Sequence, residues 1–183
     1  CCRAELALNR RLAPELYLDV VPIGGSDAAP VLGALPAIEW AVRMRRFDEA
    51  GRLDHVAARG ELRPEHLGQL ATSLAAFHAA APAAPAGSRF GEPEQVIAAA
   101  RENFVELRSL LPAADQPALE ALASWTETEF GRRRELLAVR KRNGCIREGH
   151  GDLHLGNLVL FDGRVHAFDC IEFSDDFRWN DPV

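Results

Sequence analysis

Lysine is almost missing from this chain of 183 residues: Lys141 is the only one, and arginine supplies every other cation among the 21 basic residues. Positive charge is also outweighed, with 27 acidic residues and a formal net charge of −6, which argues against nucleic acid as a partner. Long hydrophobic runs are absent. None approaches the ~20 apolar residues that span a bilayer, so no membrane-spanning helix is expected. No basic leader followed by an apolar stretch opens the chain, and no initiator Met does either; Met44 is the single methionine. The four cysteines, Cys1, Cys2, Cys145 and Cys170, show no C-x-x-C spacing of the kind that builds thiolate metal sites. They read as reduced thiols of a cytoplasmic protein. Apolar residues make up 48% of the chain, enough for one domain with a sizeable core.

The chemistry-bearing stretch is His150-Gly151-Asp152-Leu153-His154-Leu155-Gly156-Asn157. Two strand-like runs follow it, Leu158 to Phe161 and Val165 to Phe168, around Asp162-Gly163, a strong two-residue hairpin turn. Counting outward from that turn pairs Phe161 with Arg164 and sets Asn157 opposite Phe168. Asp169 is then one residue past the one facing Asn157, with the backbones roughly 5 Å apart. An amide oxygen and a carboxylate so placed suit a hard cation that takes oxygen ligands and keeps several waters. Asp152 begins the same loop, within reach of that cation. An Asp, an Asn five residues on and a second Asp past a tight turn is how kinase-like folds organise phosphoryl transfer.

This pattern resembles the aminoglycoside phosphotransferase family, whose loop reads His-Gly-Asp-(Leu)-His-x-x-Asn ahead of an Asp-containing metal motif. The resemblance covers the whole chain. The wording His-Gly-Asp-Leu-His-Leu-Gly-Asn and Phe-Asp-Cys-Ile-Glu-Phe is most similar to a bacterial subgroup in which such a domain often precedes a P-loop ATPase domain. An alanine-rich, arginine-for-lysine composition agrees with a GC-rich bacterial source. The resemblance implies an α+β, protein-kinase-like fold. It also implies ATP and magnesium as cofactors, Asp152 as catalytic base and Asn157 and Asp169 as magnesium ligands. His150 and His154 would shape the loop, Glu5 would be the helix carboxylate near the nucleotide, and Glu172 would be a supporting or substrate contact. The acceptor would be a small-molecule hydroxyl. Acidic Glu172, Asp175, Asp176 and Asp181 would favour a cationic one.

Two other readings stay open. His150, Asp152 and His154 form a His-x-Asp-x-His string that a metal-dependent phosphohydrolase could use, although dinuclear hydrolases need further ligands. His55, His66 and His78 lie in helical or loop patterns without such a partner, and His166 alternates along an exposed strand face. A non-catalytic scaffold that keeps the fold is the other. Kinase-like enzymes also need a strand lysine paired with the helix carboxylate. No strand precedes Glu5, and Gly24-Gly25 follows its helix, out of place for a phosphate loop. The chain therefore reads as an internal fragment, or else as a pseudoenzyme without its lysine. Missing strands would leave Ile38, Trp40 and Val42 uncovered.

The expected organisation is a truncated N-lobe at residues 1–46 and a mainly helical C-lobe at residues 47–183 that lacks its closing helices. Ala4, Leu8 and Leu12 make a helical stripe ended by Pro14. Tyr17 to Ile23 reads as a strand, and Gly24 to Asp27 as a turn. Ile38 to Met44 reads as a second strand with one buried face. Met44, at the hinge between lobes, either lines an adenine pocket or is ordinary core. Helical stripes follow Pro64 (Leu67, Leu70, Leu74, Phe77) and Pro93 (Ile97, Ala100, Phe104, Leu107, Leu111), each starting at a favoured first-turn proline. A third helix spans Leu119 to Val139, with its basic runs at residues 132–134 and 140–142 on a solvated face.

Overall fold

Helical and strand periodicities alternate along the chain. In the computed structural model, which describes residues 1–182, they give in order α1 (Cys2–Asn9), β1 (Tyr17–Ser26), β2 (Ala29–Leu32), β3 (Glu39–Met44), α2 (Leu53–Ala58) and α3 (Pro64–Ala80). Then come α4 (Pro93–Leu110), α5 (Gln116–Arg142), β4 (Arg147–Glu148), β5 (Leu158–Phe161), β6 (Arg164–Ala167), α6 (Asp175–Arg178) and β7 (Trp179–Asn180). Two compact units result. One joins Cys1–Ala81 to Gly149–Arg178; the other joins Pro82–Glu148 to the segment beginning at Trp179. The lobe boundary expected between residues 46 and 47 falls inside the first unit. Among the described residues no helix is long and apolar enough to cross a membrane.

In the first unit, β1 is the centre of an antiparallel sheet ordered β2-β1-β3. The glycines expected to end β1 lie inside it. Gly24 pairs with Val31 and Gly25 with Pro30, and the chain turns only after Ser26. A Cβ on Gly24 would stand 2.6 Å from the Ala34 carbonyl oxygen, and Gly25 has φ +87°, so both positions need glycine for backbone approach rather than for reversal. The strand face expected to be buried is only half covered. Val42 and Met44 pack against Ala13, Leu16, Tyr17 and Val159, whereas Ile38 and Trp40 are 48% and 42% exposed. The sheet is longer than the core beneath it.

The hairpin β5–β6 forms in the register counted from its turn, from Phe161↔Arg164 to Leu158↔Ala167. Asp162 and Gly163 both have positive φ, 48° and 75°, the conformation of a two-residue turn that matches strand twist. Both faces of this hairpin are covered. Leu158, Val165 and Ala167 pack with Leu53 and Val56, while Val159 joins Ala13, Leu16 and Tyr17. His166, paired with Val159, is therefore only 6% exposed instead of lying on a solvated face. Its Nδ1 is 3.6 Å from a Glu15 carboxylate oxygen. Period-two alternation could not reveal this, because it does not say whether the second face also has a neighbour.

The second unit is built on α4 and α5. Ile97, Leu119, Ala123 and Ile146 are its buried apolar residues. Around them run ion pairs: Arg101–Glu127 at 2.7 Å, Arg108–Glu120 at 2.6 Å and Arg134–Glu94 at 3.0 Å. Of the basic runs of α5, Arg132 and Arg133 pair with Glu129 and Arg142 with Glu135 on the solvated face, whereas Arg140, on Asp181, and Lys141, on Glu92, have side chains only 30% and 16% exposed, because their partners cover them. The short strands β4 and β7 pair antiparallel, and the Phe90 and Trp179 rings stack with centroids 5.4 Å apart.

Candidate active site

His150 anchors the loop that begins the site. It is buried; its Nδ1 accepts the Asp152 N–H at 3.3 Å and its Nε2 lies 2.9 Å from the Phe168 carbonyl oxygen. An acceptor at Nδ1 leaves the proton on Nε2, which donates to Phe168. Burial pushes this imidazole below the usual histidine range, which favours the neutral form that an acceptor at Nδ1 requires. His154 starts the 3₁₀ turn Leu155–Asn157 by accepting the Gly156 N–H at Nδ1, 3.1 Å away. Its Nε2 is 3.5 Å from Asp152 Oδ2.

Asn157 connects the two carboxylates of the site. Its buried Nδ2 donates to the Asp152 carbonyl at 2.9 Å and to Asp152 Oδ2 at 3.2 Å. With the amide nitrogen so engaged, Oδ1 is the atom that could meet a cation. The Phe168 N–H donates to the Asn157 carbonyl at 3.0 Å, extending the hairpin ladder by one pair and setting Asp169 just beyond it. Asp169 has φ +63°, a conformation that costs about 1–2 kcal/mol for most L-residues and less for Asp.

Electrostatics tie three more groups together. Burial raises the Glu5 carboxyl above its ordinary range, and the charges of Glu172 and Asp169 add to that. Burial also pushes the Tyr17 hydroxyl up to about 12. Glu5, Asp169 and Glu172 thus form one region of negative potential. Met44 does not join it, since it packs into the apolar cluster around Tyr17. Asp175 is engaged by Arg178, and Asp181 by Arg140 at 2.7 Å, so two of the four acids expected to attract a cation already have one.

The donor set bears on which metal would fit. Both ring nitrogens of His150 are committed to backbone groups, so the His-x-Asp-x-His string does not chelate. Among the described residues no three His, Cys, Asp or Glu side chains converge to hold a metal. Asn157 and Asp169 would offer hard oxygens beside the further carboxylate charge of Glu5 and Glu172, a donor chemistry that suits magnesium better than a transition metal. Sequence reasoning gave no site role to three residues that support this turn. Tyr17 accepts the Asp169 N–H at 3.1 Å, Asn9 accepts the Cys170 N–H at 2.8 Å, and Arg11 donates to the Gly149 carbonyl at 3.2 Å. Asn9 alone left a signal, as a polar side chain one helical turn after Glu5 on α1.

Comparison with known proteins adds three findings. A family model described as "Phosphotransferase enzyme family" matches residues 2–182. An uncharacterized protein of Mycobacterium bovis and two from strains of Mycobacterium tuberculosis are each 32% identical over 186 residues, covering 100% of this chain and 35% of their own length. The chain thus spans about a third of the length of these curated relatives. No solved structure matches.

Proposed function

Since the chain belongs to the aminoglycoside phosphotransferase family of phosphotransferase enzymes, we propose that the protein moves the γ-phosphoryl group of ATP, with magnesium, to a hydroxyl of a small molecule. Asp152 orients the attacking hydroxyl and takes its proton. Positioning carries this step more than basicity does, because the proton leaves late in a loose transition state. Asn157, through Oδ1, and Asp169, through its carboxylate, would hold the magnesium. The ion, when bound, supplies positive charge to the phosphates. The observation that carries the reading is the Asn157 side chain, which orients the Asp152 carboxylate while its own backbone carbonyl fixes the strand leading to Asp169.

The negative region at Glu5, Asp169 and Glu172 supports a cationic acceptor, such as an aminoglycoside or another amine. An enzyme that draws on ATP in this way would work in the cytoplasm. The subgroup resemblance adds a P-loop ATPase domain elsewhere in the parent. A non-catalytic binding domain is the second reading, and one observation favours it. The neighbours of Glu5 include the carboxylates of Glu172 and Asp169, while the sole lysine, Lys141, is held by Glu92 in the other unit.

Asp152→Asn in the full-length protein separates the two readings. It keeps shape and hydrogen bonding, so ATP and magnesium binding should persist while turnover falls by about 10²–10⁴-fold. Unchanged turnover would remove Asp152 from its role. Absence of transfer to any alcohol by the unaltered protein would favour the binding domain.

A further inference from the structure

Asp169 and Cys170 present consecutive backbone N–H groups at a left-handed turn, and each meets a side chain from the other end of the chain. Tyr17, 2% exposed, accepts the Asp169 N–H through its hydroxyl, 152 residues away in sequence. Asn9, 1% exposed, accepts the Cys170 N–H through Oδ1 at a separation of 161 residues. The same amide donates through Nδ2 to the Glu5 carbonyl at 3.0 Å, so its orientation is determined from both sides. Arg11 completes the contact between this end of the chain and the site: it donates to the Gly149 carbonyl while its guanidinium lies 5.1 Å from the Phe77 ring centroid.

These bonds fall at one of the two described non-glycine residues with positive φ, the other being Asp162 in the exposed hairpin turn. A non-glycine residue at φ +63° persists only where its surroundings over-determine it. Cys170 is buried, so its N–H would have no water to turn to if Asn9 moved away. Neither side chain reaches a reacting atom, and neither has a role in the ladder or the apolar core that would require a hydroxyl or an amide.

We propose that Asn9 and Tyr17 are positioning residues that hold Asp169 in its left-handed turn and thereby set the protein's affinity for the divalent cation. This rests on the phosphotransferase reading, in which Asp169 is a magnesium ligand. Loss of either acceptor lets residues 169–170 sample other conformations, and the cation must then select the competent one at a cost in affinity.

The test uses the full-length protein, with Mn²⁺ followed by electron paramagnetic resonance in the presence of a non-hydrolysable ATP analogue. Tyr17→Phe keeps the ring in the core and removes only the hydroxyl; Asn9→Leu removes the amide at similar volume. Each should weaken Mn²⁺ binding by about 3- to 10-fold, the effect of one lost hydrogen bond. Amide exchange at residues 169 and 170 should accelerate in the absence of any ligand. Thermal unfolding, recorded in parallel, separates this from a general loosening, which would lower stability and leave Mn²⁺ affinity unchanged well below the midpoint. If Asn9→Leu does not fold, Tyr17→Phe decides alone. Mn²⁺ uptake by the unaltered protein that is matched by folded variants would overturn this inference only. No uptake by the unaltered protein would overturn the phosphotransferase reading, and this inference with it.

Discussion

In the first unit, polar side chains sit inside the core: Asn9, His66, His150, Asn157, His166 and Arg178 are all buried there. In the second, the described buried residues are apolar, glycine or proline, and the polar pairs run along the outside of α4 and α5. A buried polar group tolerates few arrangements, because each unsatisfied donor or acceptor is costly where water cannot reach it. An exposed ion pair tolerates many, because water replaces either partner. The first unit is therefore built to hold one geometry, as a site with two carboxylates and an amide requires. The second needs only its apolar stripe and a solvated, charge-matched surface.

Several substitutions sharpen this contrast. The largest stability effect belongs to the first unit's apolar core, where Leu53 is fully buried among Val56, Leu158, Val165 and Ala167. Leu53→Ala should cost about 2–5 kcal/mol in denaturant unfolding. A cost well under 1 kcal/mol would break the picture of a close-packed unit.

A smaller effect, of the opposite sign, is expected at Glu5. Its value in the folded protein lies above the ordinary 4.5, so its surroundings favour the protonated form. That contribution is fully present below about pH 4.5 and is lost as pH rises through the raised value. Glu5→Gln keeps the side chain neutral throughout. Without metal at pH 7 it should raise the melting temperature by about 1–3 °C, and the gain should vanish at pH 4. Equal shifts at both pH values would show that charge is not the cause.

The smallest effect belongs to the second unit's surface. Hydrogen bonds from Arg108 and Arg101 hold Glu120 and Glu127 below the usual carboxylate range. What these pairs contribute is present above the ordinary value of 4.5 and is lost as pH falls, the reverse of Glu5. Glu127→Gln should move the melting temperature by no more than about 1 °C, and 1 M salt should erase even that. A loss comparable to that of Leu53→Ala would collapse the distinction between the two units.

Much of the site was legible in the chain because its determinants are local. Asp162-Gly163 accepts positive φ at two successive residues, which set the hairpin register, and the register put Phe168 opposite Asn157. Pro64 and Pro93 begin α3 and α4 as first-turn prolines, and a 3.6-residue stripe follows each. The short helix α2 and strand β2 were not legible. Each is too brief for a period to show, at six and four residues, and neither adjoins a turn like Asp162-Gly163, which revealed the equally short β5 and β6.

By itself, then, the sequence determined which stretches are helix or strand where the pattern is long, the turn that aligns Asn157 with the strand before Asp169, and the oxygen chemistry of that pair. Tertiary structure alone decided what covers each face and which distant groups meet. It buried His166 by closing Ala13, Leu16 and Tyr17 over the hairpin's second face, and it drew Gly24 and Gly25 into β1, where Ala34 and Ala29 approach too closely for a side chain. It also brought Tyr17 and Asn9 to the N–H groups of Asp169 and Cys170. Periodicity and turn chemistry act over a few residues, whereas a hydrogen bond between residues more than 150 positions apart exists only once the chain has closed on itself.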